Sequence, residues 1–320
     1  MPILEVKNLS VGSADGRVIL KNLSFFLEQG EILGILGESG SGKSLTALSL
    51  LRLLPANLKI LSGEILFDGK DLVKLSSEEL QHLRGKDISI IFQDPLSSLN
   101  PVLKVEEQLK EVLHHHLLIK GDTAKALILK TLREVGISDP EFRLKSYPHE
   151  LSGGLRQRIM IAMSILCAPK LLIADEPTTA LDLTLQMQII ELLKELNSKL
   201  GLSILFITHD LGVLRWLAKR ILVYYQGQIV EVASTEKLFN KPCHPYTQLL
   251  FSSYPGKEKA LPFSRRVDVA DPIRGCDFWS RCVHSCERGL VQSPPFFEVE
   301  PGHKVRCFLY EFNGLSNCRS

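Results

Sequence analysis

The sequence lacks any apolar run long enough to form a membrane-spanning helix. Such a helix needs roughly 18–20 consecutive apolar residues, and the nearest candidate, residues 159–174, is interrupted by Pro169 and Lys170. The first residues, Met-Pro-Ile-Leu-Glu-Val, also lack the basic segment and long apolar segment of a signal peptide. We therefore expect a cytosolic chain that serves any membrane process from the membrane surface.

The sequence also lacks an excess of charge of one sign. It contains 38 basic and 36 acidic residues, for a net charge of +2. Proteins that bind nucleic acid usually carry a basic patch or stripe, so no nucleic-acid partner is expected. With 320 residues, 45% of them hydrophobic and 23% charged, the composition is that of a globular protein with one large domain or two moderate ones.

Short aliphatic runs alternate with helical patterns along most of the chain. The helical patterns include residues 43–54 and 184–200, and the alternation predicts an α/β fold with a mostly parallel sheet. Residues 96–161 are mainly helical in pattern and predict a helical insertion. The runs predicted as strands buried on both faces are residues 31–36, 87–92, 170–175, 203–208 and 221–225.

The composition of the sequence changes near residue 256. Prolines, aromatics and cysteines become more frequent there, and the periodic pattern of apolar residues weakens. This change predicts a main domain over residues 1–255 and a small C-terminal module over residues 256–320.

A glycine-rich segment fits the pattern G-x-x-x-x-G-K-[ST] of a phosphate-binding loop in full. It follows a predicted strand and opens a predicted helix, so glycine backbone amides and a helix N-terminus would face the phosphates. Lys43 is expected to reach the β- and γ-phosphates of ATP, and Ser44 to bind Mg²⁺. A chance match to a glycine-rich turn has a probability on the order of one per cent. The predicted ATP-binding residues are Gly37, Glu38, Ser39, Gly40, Ser41, Gly42, Lys43 and Ser44.

Two carboxylates, Asp175 and Glu176, end the apolar run that starts at Lys170. In enzymes with such a phosphate-binding loop, an acidic residue at a strand end helps to hold Mg²⁺, and we assign this role to Asp175. Glu176 lies one residue further, where it can polarise an attacking water as a general base. Without the phosphate-binding loop upstream, a solvated acidic turn would be an equal interpretation.

Leu151, Ser152, Gly153 and Gly154 open another predicted helix and form a second candidate anion site. The segment, followed by Leu-Arg-Gln-Arg, resembles the signature sequence of ABC ATPases. The resemblance implies that this signature closes over a nucleotide held by a second ATPase chain. It also implies a P-loop NTPase fold with a RecA-like core, an antiparallel β subdomain and a helical subdomain.

Further motifs of the ABC ATPases match in the same order along the chain. The segment Phe-Gln93-Asp94-Pro95 resembles the Q-loop, which implies that Gln93 senses Mg²⁺ and water and that its surroundings contact the membrane partner. Ala180-Leu-Asp182 resembles the D-loop, whose aspartate crosses the dimer interface. Thr-His209-Asp resembles the H-loop, which implies that His209 lies beside the γ-phosphate. The resemblance thus makes Glu176, His209 and Gln93 the catalytic residues and Ser44, Gln93 and Asp175 the Mg²⁺ ligands.

A closer resemblance is to the oligopeptide/dipeptide/nickel importer subfamily. It is carried by residues 93–101, by Tyr-Pro-His-Glu at 147–150, by residues 176–182 and by His-Pro-Tyr-Thr at 244–247. It implies a heterodimer with a second ATPase, two membrane permeases and an extracytoplasmic solute-binding protein, with this chain peripheral to the cytoplasmic face of the inner membrane. Peptide is the first expected substrate, and nickel or another small solute is the alternative; a soluble ABC ATPase outside transport is a further rival.

One departure from the family concerns the adenine base. The family usually has an aromatic residue near the first strands that stacks on adenine, but residues 9–22 contain none, and Ser13 stands about where it is expected. Val18 is a candidate for an apolar contact with the base instead.

Five of the seven cysteines fall in the last 45 residues. In a reducing compartment such a cluster suggests a metal site more than disulfides. The resemblance implies a [4Fe–4S] cluster in some members, although the third cysteine is about three positions early, since its usual place is Gly289. Zinc with His284 or His303 as a ligand, or thiols without metal, are the alternatives. The candidate ligands are Cys276, Cys282, Cys286 and Cys307.

Overall fold

A computed structural model of the chain describes residues 2–93, 98–179, 181–252 and 275–311. Two β-sheets with helices packed around them make up these parts of the chain. The strands are β1 (Pro2–Ser13), β2 (Val18–Glu28), β3 (Ile32–Leu36), β4 (Leu58–Phe67), β5 (Lys70–Asp71), β6 (Ile88–Ile91), β7 (Leu171–Asp175), β8 (Ser203–Thr208), β9 (Arg220–Tyr225), β10 (Gln228–Ser234), β11 (Phe297–Glu300) and β12 (His303–Val305).

The helices are numbered along the described parts of the chain. They are α1 (Lys43–Leu50), α2 (Ser77–Leu83), α3 (Val105–Leu117), α4 (Gly121–Glu134), α5 (Pro140–Arg143), α6 (Gly153–Ile165), α7 (Leu183–Leu200), α8 (Leu211–Leu217), α9 (Thr235–Asn240), α10 (Pro245–Ser252) and α11 (Glu287–Val291). Short 3₁₀ turns cover Pro148–Glu150, Trp279–Arg281 and Phe308–Tyr310. No described helix combines the length and the apolar character needed to cross a membrane.

The larger sheet has eight strands in the order β11-β12-β10-β9-β3-β8-β7-β6. Strands β9, β3, β8, β7 and β6 run parallel, as the five aliphatic runs predicted. Alternate side chains of β3 face opposite layers: Leu33 and Ile35 pack on the side of α1, whereas Ile32 and Leu36 pack with α6, α7 and α8. Because both faces are covered, the strands are aliphatic throughout.

The smaller sheet is antiparallel, with strand order β2-β1-β4-β5. In β1, Val6 pairs with Phe25 of β2 on one side and with Ile65 of β4 on the other. The apolar face of this sheet shares a core with α1 and the α1 side of β3. The structure thus contains the antiparallel subdomain that the family resemblance implied.

Residues 98–161 contain no strand among those described, in agreement with the predicted helical insertion. The insertion comprises α3, α4 and α5 and most of α6. The first turn of α3 is tied to the end of the insertion, because Val105 N–H donates to Ser146 O at 3.1 Å and Glu106 N–H donates to Leu144 O at 3.0 Å. Helix α6 continues to Ile165, so the proposed limit at 161 falls inside a helix.

The C-terminal residues extend the main sheet. Strand β12 pairs with β10, where Glu231 lies opposite Val305, and β11 pairs with β12. The proposed boundary between residues 255 and 256 lies outside the described residues. The part of the C-terminal module that is described therefore continues the central sheet of the main domain.

Candidate nucleotide site

The phosphate-binding loop connects the end of β3 to the start of α1. Gly42, just before the helix, has φ +100°, and a Cβ there would lie 2.7 Å from Leu20 Cδ2. A Cβ on Gly37 would lie 2.6 Å from the carbonyl oxygen of Tyr224. Glycine is therefore required at both positions, by backbone conformation at Gly42 and by close packing at both. This geometry leaves the N-terminus of α1 uncapped by any side chain and so available to an anion.

Lys43 is held under the loop by backbone oxygens. Only 4% of its surface is exposed, and its Nζ donates to the carbonyls of Gly37 at 2.9 Å and Glu38 at 3.0 Å. Its ammonium lies 3.7 Å from Glu176 Oε1. Burial lowers the pKa of Lys43, while the negative charges of Glu176 and Asp175 act in the opposite direction. The site thus keeps a cation between the loop and the carboxylates.

Asp175 ends β7 with a buried carboxylate whose Oδ1 makes no hydrogen bond. Burial raises its pKa, and a hydrogen bond from the exposed Ser44 hydroxyl lowers it. A buried acceptor without a donor is costly unless a ligand satisfies it. Carboxylate and hydroxyl oxygens are the ligands that Mg²⁺ prefers, so the residues present fit a magnesium ion.

Glu176 is the centre of the polar contacts at this site. Its Oε2 accepts hydrogen bonds from Gln93 Nε2 at 3.3 Å and Thr179 Oγ1 at 3.0 Å, and it lies 3.2 Å from His209 Nδ1. The backbone of Glu176 is left-handed, with φ +47°, and its N–H donates to Ile207 O at 2.9 Å. A non-glycine residue in this conformation costs roughly 1–2 kcal/mol, so the fold holds this carboxylate in place against a strain.

The structure therefore brings together the side chains that the sequence assigned to catalysis and magnesium. Gln93, Asp175, Glu176 and His209 come from three segments at the carboxyl ends of the parallel strands β6, β7 and β8, which meet at one edge of the sheet. Thr179 was missed as a contact of Glu176, although it lies only three positions later and can reach back across a turn. A carboxylate held beside a lysine and a half-exposed histidine can polarise a water at the mouth of the loop.

Comparisons with known proteins agree with this geometry. A family model described as "ABC transporter" matches residues 20–179. A dimeric ATP-binding cassette solved in a post-hydrolysis state with ADP and Pi has a TM-score of 0.64 and 29% identity, covering 72% of this chain and 98% of that one. The chain belongs to the ABC transporter family. The predicted family and fold class are thereby confirmed.

The similarity of this ABC ATPase to named relatives extends over most of its length. An oligopeptide transport ATP-binding protein of Bacillus subtilis is 46% identical, covering 96% of this chain and 88% of that protein. A dipeptide transport ATP-binding protein of the same organism is 44% identical, covering 97% of this chain and 95% of that one. A second family model, "Oligopeptide/dipeptide transporter, C-terminal region", matches residues 230–288.

The predicted signature segment, residues 151–154, lies at the start of α6. Ser152 caps this helix by accepting from Leu155 N–H at 3.3 Å, and a Cβ on Gly154 would lie 3.0 Å from Leu185. Asp182 caps the neighbouring α7 by accepting from Leu185 N–H at 2.9 Å. The helices α6 and α7, which follow the predicted signature and D-loop, therefore start side by side. The D-loop residue Ala180 and the Q-loop residues Asp94 and Pro95 lie outside the described residues.

A groove of about 250 Å³ separates the strand before the Q-loop from the helical insertion. Its lining includes the aromatic ring of Phe92, which is 41% exposed, together with Val112 and Met160. Arg84 and His116 are among its polar lining residues. The groove lies on the β6 side of the sheet and has a mixed apolar and polar lining.

The candidate cysteine ligands lie on short turns at the C-terminal end of the described chain. Cys276 N–H donates to Gly289 O at 2.7 Å, and Trp279 Nε1 donates to Cys286 O at 2.8 Å. Burial raises the pKa of the Cys276 thiol, and the nearby Cys286 adds to this effect. A Cβ on Gly289, the position where the family usually has a cysteine, would lie 3.9 Å from Cys276 Cβ but only 2.9 Å from Trp279 Cδ1, so a side chain there would require Trp279 to shift. Cys318 lies outside the described residues.

A second group of metal-ligand types was missed by sequence reasoning. Glu231, Cys243 and His303 are buried, and their ligand atoms lie within 4.8 Å of one another, as in no other set found among the described residues. His303 Nε2 lies 2.7 Å from Glu231 Oε1, and this carboxylate also accepts N–H bonds from Cys243 at 2.7 Å and His244 at 2.8 Å. These contacts already satisfy Glu231, so we interpret the group as a buried ion pair.

The pKa of His303 supports this interpretation. Burial alone lowers it, but hydrogen bonds with Cys243 and Glu231 outweigh burial and raise it to about 9. His303 was also the sequence-based alternative for a zinc ligand, and its Nε2 is engaged by Glu231.

Proposed function

We propose that this ABC ATPase is the ATP-hydrolysing subunit of an importer that takes up oligopeptides or dipeptides across the cytoplasmic membrane. The observation that carries the proposal is the convergence of Lys43, Asp175 and Glu176 under a phosphate-binding loop, in a chain whose relatives are named oligopeptide and dipeptide transport proteins. The match to a peptide-transporter C-terminal region supports the peptide substrate. Import of nickel or another small solute is the alternative that the resemblance leaves open.

The geometry supports a division of labour among the site residues. Residues 37–42 and Lys43 hold the phosphates, and Ser44, Gln93 and Asp175 are the proposed ligands of Mg²⁺, which neutralises phosphate charge when it is bound. Glu176 accepts or polarises the proton of the attacking water. Gln93 and His209, both within hydrogen-bond distance of Glu176 Oε2, fix the direction of that carboxylate.

A second ATPase chain is proposed to complete the site. The hydrogen bonds found for Ser152 stay within its own helix, while Leu151, Ser152, Gly153 and Gly154 form an N-terminal end suited to an anion. We therefore propose that this end binds the nucleotide of the partner chain and that Asp182 lies at the contact between the two. A related but different ATPase is the proposed partner, as the subfamily resemblance implies.

The remaining partners are two membrane permeases and an extracytoplasmic solute-binding protein. The groove beside Phe92 is the proposed contact with a permease, because it joins the Q-loop strand to the helical insertion and offers an exposed aromatic surface. The chain would then be a peripheral protein at the cytoplasmic face of the inner membrane, with ATP-driven closure of the dimer transmitted through this groove.

A [4Fe–4S] cluster on Cys276, Cys282, Cys286 and Cys307 is part of the proposal. Thiolates are the donors that such clusters take, and Arg306 interacts favourably with the charge of Cys276. Tetrahedral zinc would need sulfurs roughly 3.8 Å apart, and no three of these described thiols lie within 4.8 Å of one another. We therefore propose iron–sulfur as the first choice and zinc as the alternative.

Reconstitution tests the transport role directly. The chain would be co-expressed with candidate permeases and a second ATPase, and ATP hydrolysis would be measured in proteoliposomes with solute-binding protein and either peptides or nickel. Peptide-stimulated hydrolysis that needs the permeases supports the proposal. Stimulation by nickel alone would favour the alternative substrate, and hydrolysis that is indifferent to every membrane partner would contradict a role in transport.

A further inference from the structure

One residue of the phosphate-binding loop, Glu38, is tied to the C-terminal region through its backbone and its side chain. Its N–H donates to Tyr246 Oη at 3.0 Å, and its carboxylate accepts two bonds from Arg281, each 3.1 Å long. We propose that Tyr246 and Arg281 are positioning residues that fix the loop for ATP. The proposal rests on the nucleotide-binding role of the loop stated above.

The hydroxyl of Tyr246 is held in place by the packing of its ring. The ring is fully buried and lies 4.6 Å from the ring of Tyr225 and 5.6 Å from that of Phe278, measured between centroids. The first turn of α10, where Tyr246 sits, is fixed as well, because Tyr246 N–H donates to His244 Nδ1 at 3.0 Å. The oxygen that receives the loop N–H is therefore a rigid acceptor, which gives a well-defined position to Glu38.

Arg281 is anchored from several directions. Its guanidinium lies 5.7 Å from the ring centre of Tyr225 and 5.6 Å from that of Phe278. Four residues earlier, Asp277 accepts from Lys21 Nζ at 2.8 Å and from Gln228 Nε2 at 2.8 Å. The segment that presents Arg281 is thus fastened to β2 and β10.

The contacts of Tyr246 and Arg281 with Glu38 are linked to Lys43 through the backbone of the loop. The carbonyls of Glu38 and Gly37 are the two acceptors that hold Lys43. Restricting Glu38 at its N–H and its carboxylate therefore restricts the position of the carbonyl that aims Lys43. Tyr246 and Arg281 both bond to Glu38 of the loop, so we expect them to affect how ATP is held more than how it is cleaved.

The test measures MgATP binding and steady-state hydrolysis in the full chain. Tyr246→Phe keeps the ring and removes only the hydroxyl, and Arg281→Gln removes the ion pair. Each should raise the Kd for MgATP about fivefold, the effect of losing one hydrogen bond or partly exposed ion pair. KM should rise in parallel, with kcat retained. The matched control is Arg288→Gln, which breaks a C-terminal ion pair with Glu311 away from the loop and should leave the Kd unchanged.

An exchange of the two charges tests the Glu38–Arg281 ion pair independently, in case a single variant unfolds. Glu38→Arg combined with Arg281→Glu should recover most of the affinity that either change alone removes. If the wild-type chain binds no MgATP, the proposed function fails. If the wild-type chain binds and Tyr246→Phe and Arg281→Gln bind as tightly, only the positioning role is overturned. An equal loss in Arg288→Gln would also overturn it, because the effect would then be a general loosening of the C-terminal region.

Discussion

Replacing Glu176 with glutamine isolates the chemistry of the carboxylate from its packing. The amide has nearly the same size, and it can still accept from Thr179 and Gln93, whose bonds to Glu176 Oε2 are 3.0 and 3.3 Å long. It carries no charge and cannot take a proton from water. The side chain is 7% exposed, so bulk solvent cannot easily replace the missing base.

The expected loss follows from the role of a general base. Proton transfer to a positioned side chain contributes about 10²–10⁴-fold to rate, which is about 3–5 kcal/mol of transition-state stabilisation. Binding of MgATP should be retained or become tighter, because the substitution removes a negative charge beside the phosphates. Lys43 keeps its two backbone acceptors, at 2.9 and 3.0 Å, so the loop should stay formed.

The assay pairs single-turnover hydrolysis of radiolabelled ATP with equilibrium binding of MgATP. A suitable control is Glu236→Gln, which changes an exposed carboxylate in the first turn of α9 and should leave both measurements unchanged. Hydrolysis by the Glu176→Gln variant within about tenfold of wild type would refute the assignment of Glu176 as general base. A loss of hydrolysis together with a loss of binding would refute the claim that the carboxylate is dispensable for holding ATP.

Three further predictions concern stability and metal. The pKa of His303 is about 9 in the folded chain and about 6.5 in the unfolded chain. Protonated His303, with its partners Cys243 and Glu231, should therefore contribute about 3 kcal/mol below pH 6.5 and lose this contribution as the pH rises from 6.5 through 9; thermal unfolding across this range should show the fall, and His303→Gln should flatten it. Gly227→Ala should destabilise the fold by roughly 3 kcal/mol or more, because a Cβ there would lie 1.7 Å from Ile19 O. Gly121→Ala, with similar φ but open space, should cost only about 1 kcal/mol in denaturant unfolding. Anaerobic purification should give a visible charge-transfer absorption and bound iron that serine substitution abolishes, whereas zinc or no metal would contradict the cluster proposed on Cys276, Cys282, Cys286 and Cys307.

The buried parallel strands were predictable because burial on both faces demands a continuous aliphatic run. The run at 203–208 coincides with β8, and the other four runs agree with their strands to within a residue at each end. The helix predicted over residues 43–54 stops early: α1 ends at Leu50, and the chain reverses at Arg52, whose φ is +50°. An arginine gives no sequence signal for a left-handed backbone, so the C-terminal end of α1 could not be predicted from the sequence.

The antiparallel strands had no comparably clear pattern. Strand β1 shows register shifts against β2 between Val6 and Leu9 and again between Leu9 and Val11. Each shift interrupts the alternation of apolar and polar residues that would identify a half-buried strand. Only the resemblance to ABC ATPases implied this sheet, and the structure then supplied its order and register.

The sequence by itself predicted the phosphate-binding loop, because close approach of the backbone to phosphate requires glycines and a lysine at short fixed spacings. It also predicted Asp175 and Glu176, because they end an aliphatic run that had to be a buried strand. The tertiary structure alone decided which distant side chains hold that loop. Glu38 and Tyr246 are 208 positions apart, and Glu38 and Arg281 are 243 apart. No local pattern links such pairs, since their contact depends on how the C-terminal strands close onto the central sheet.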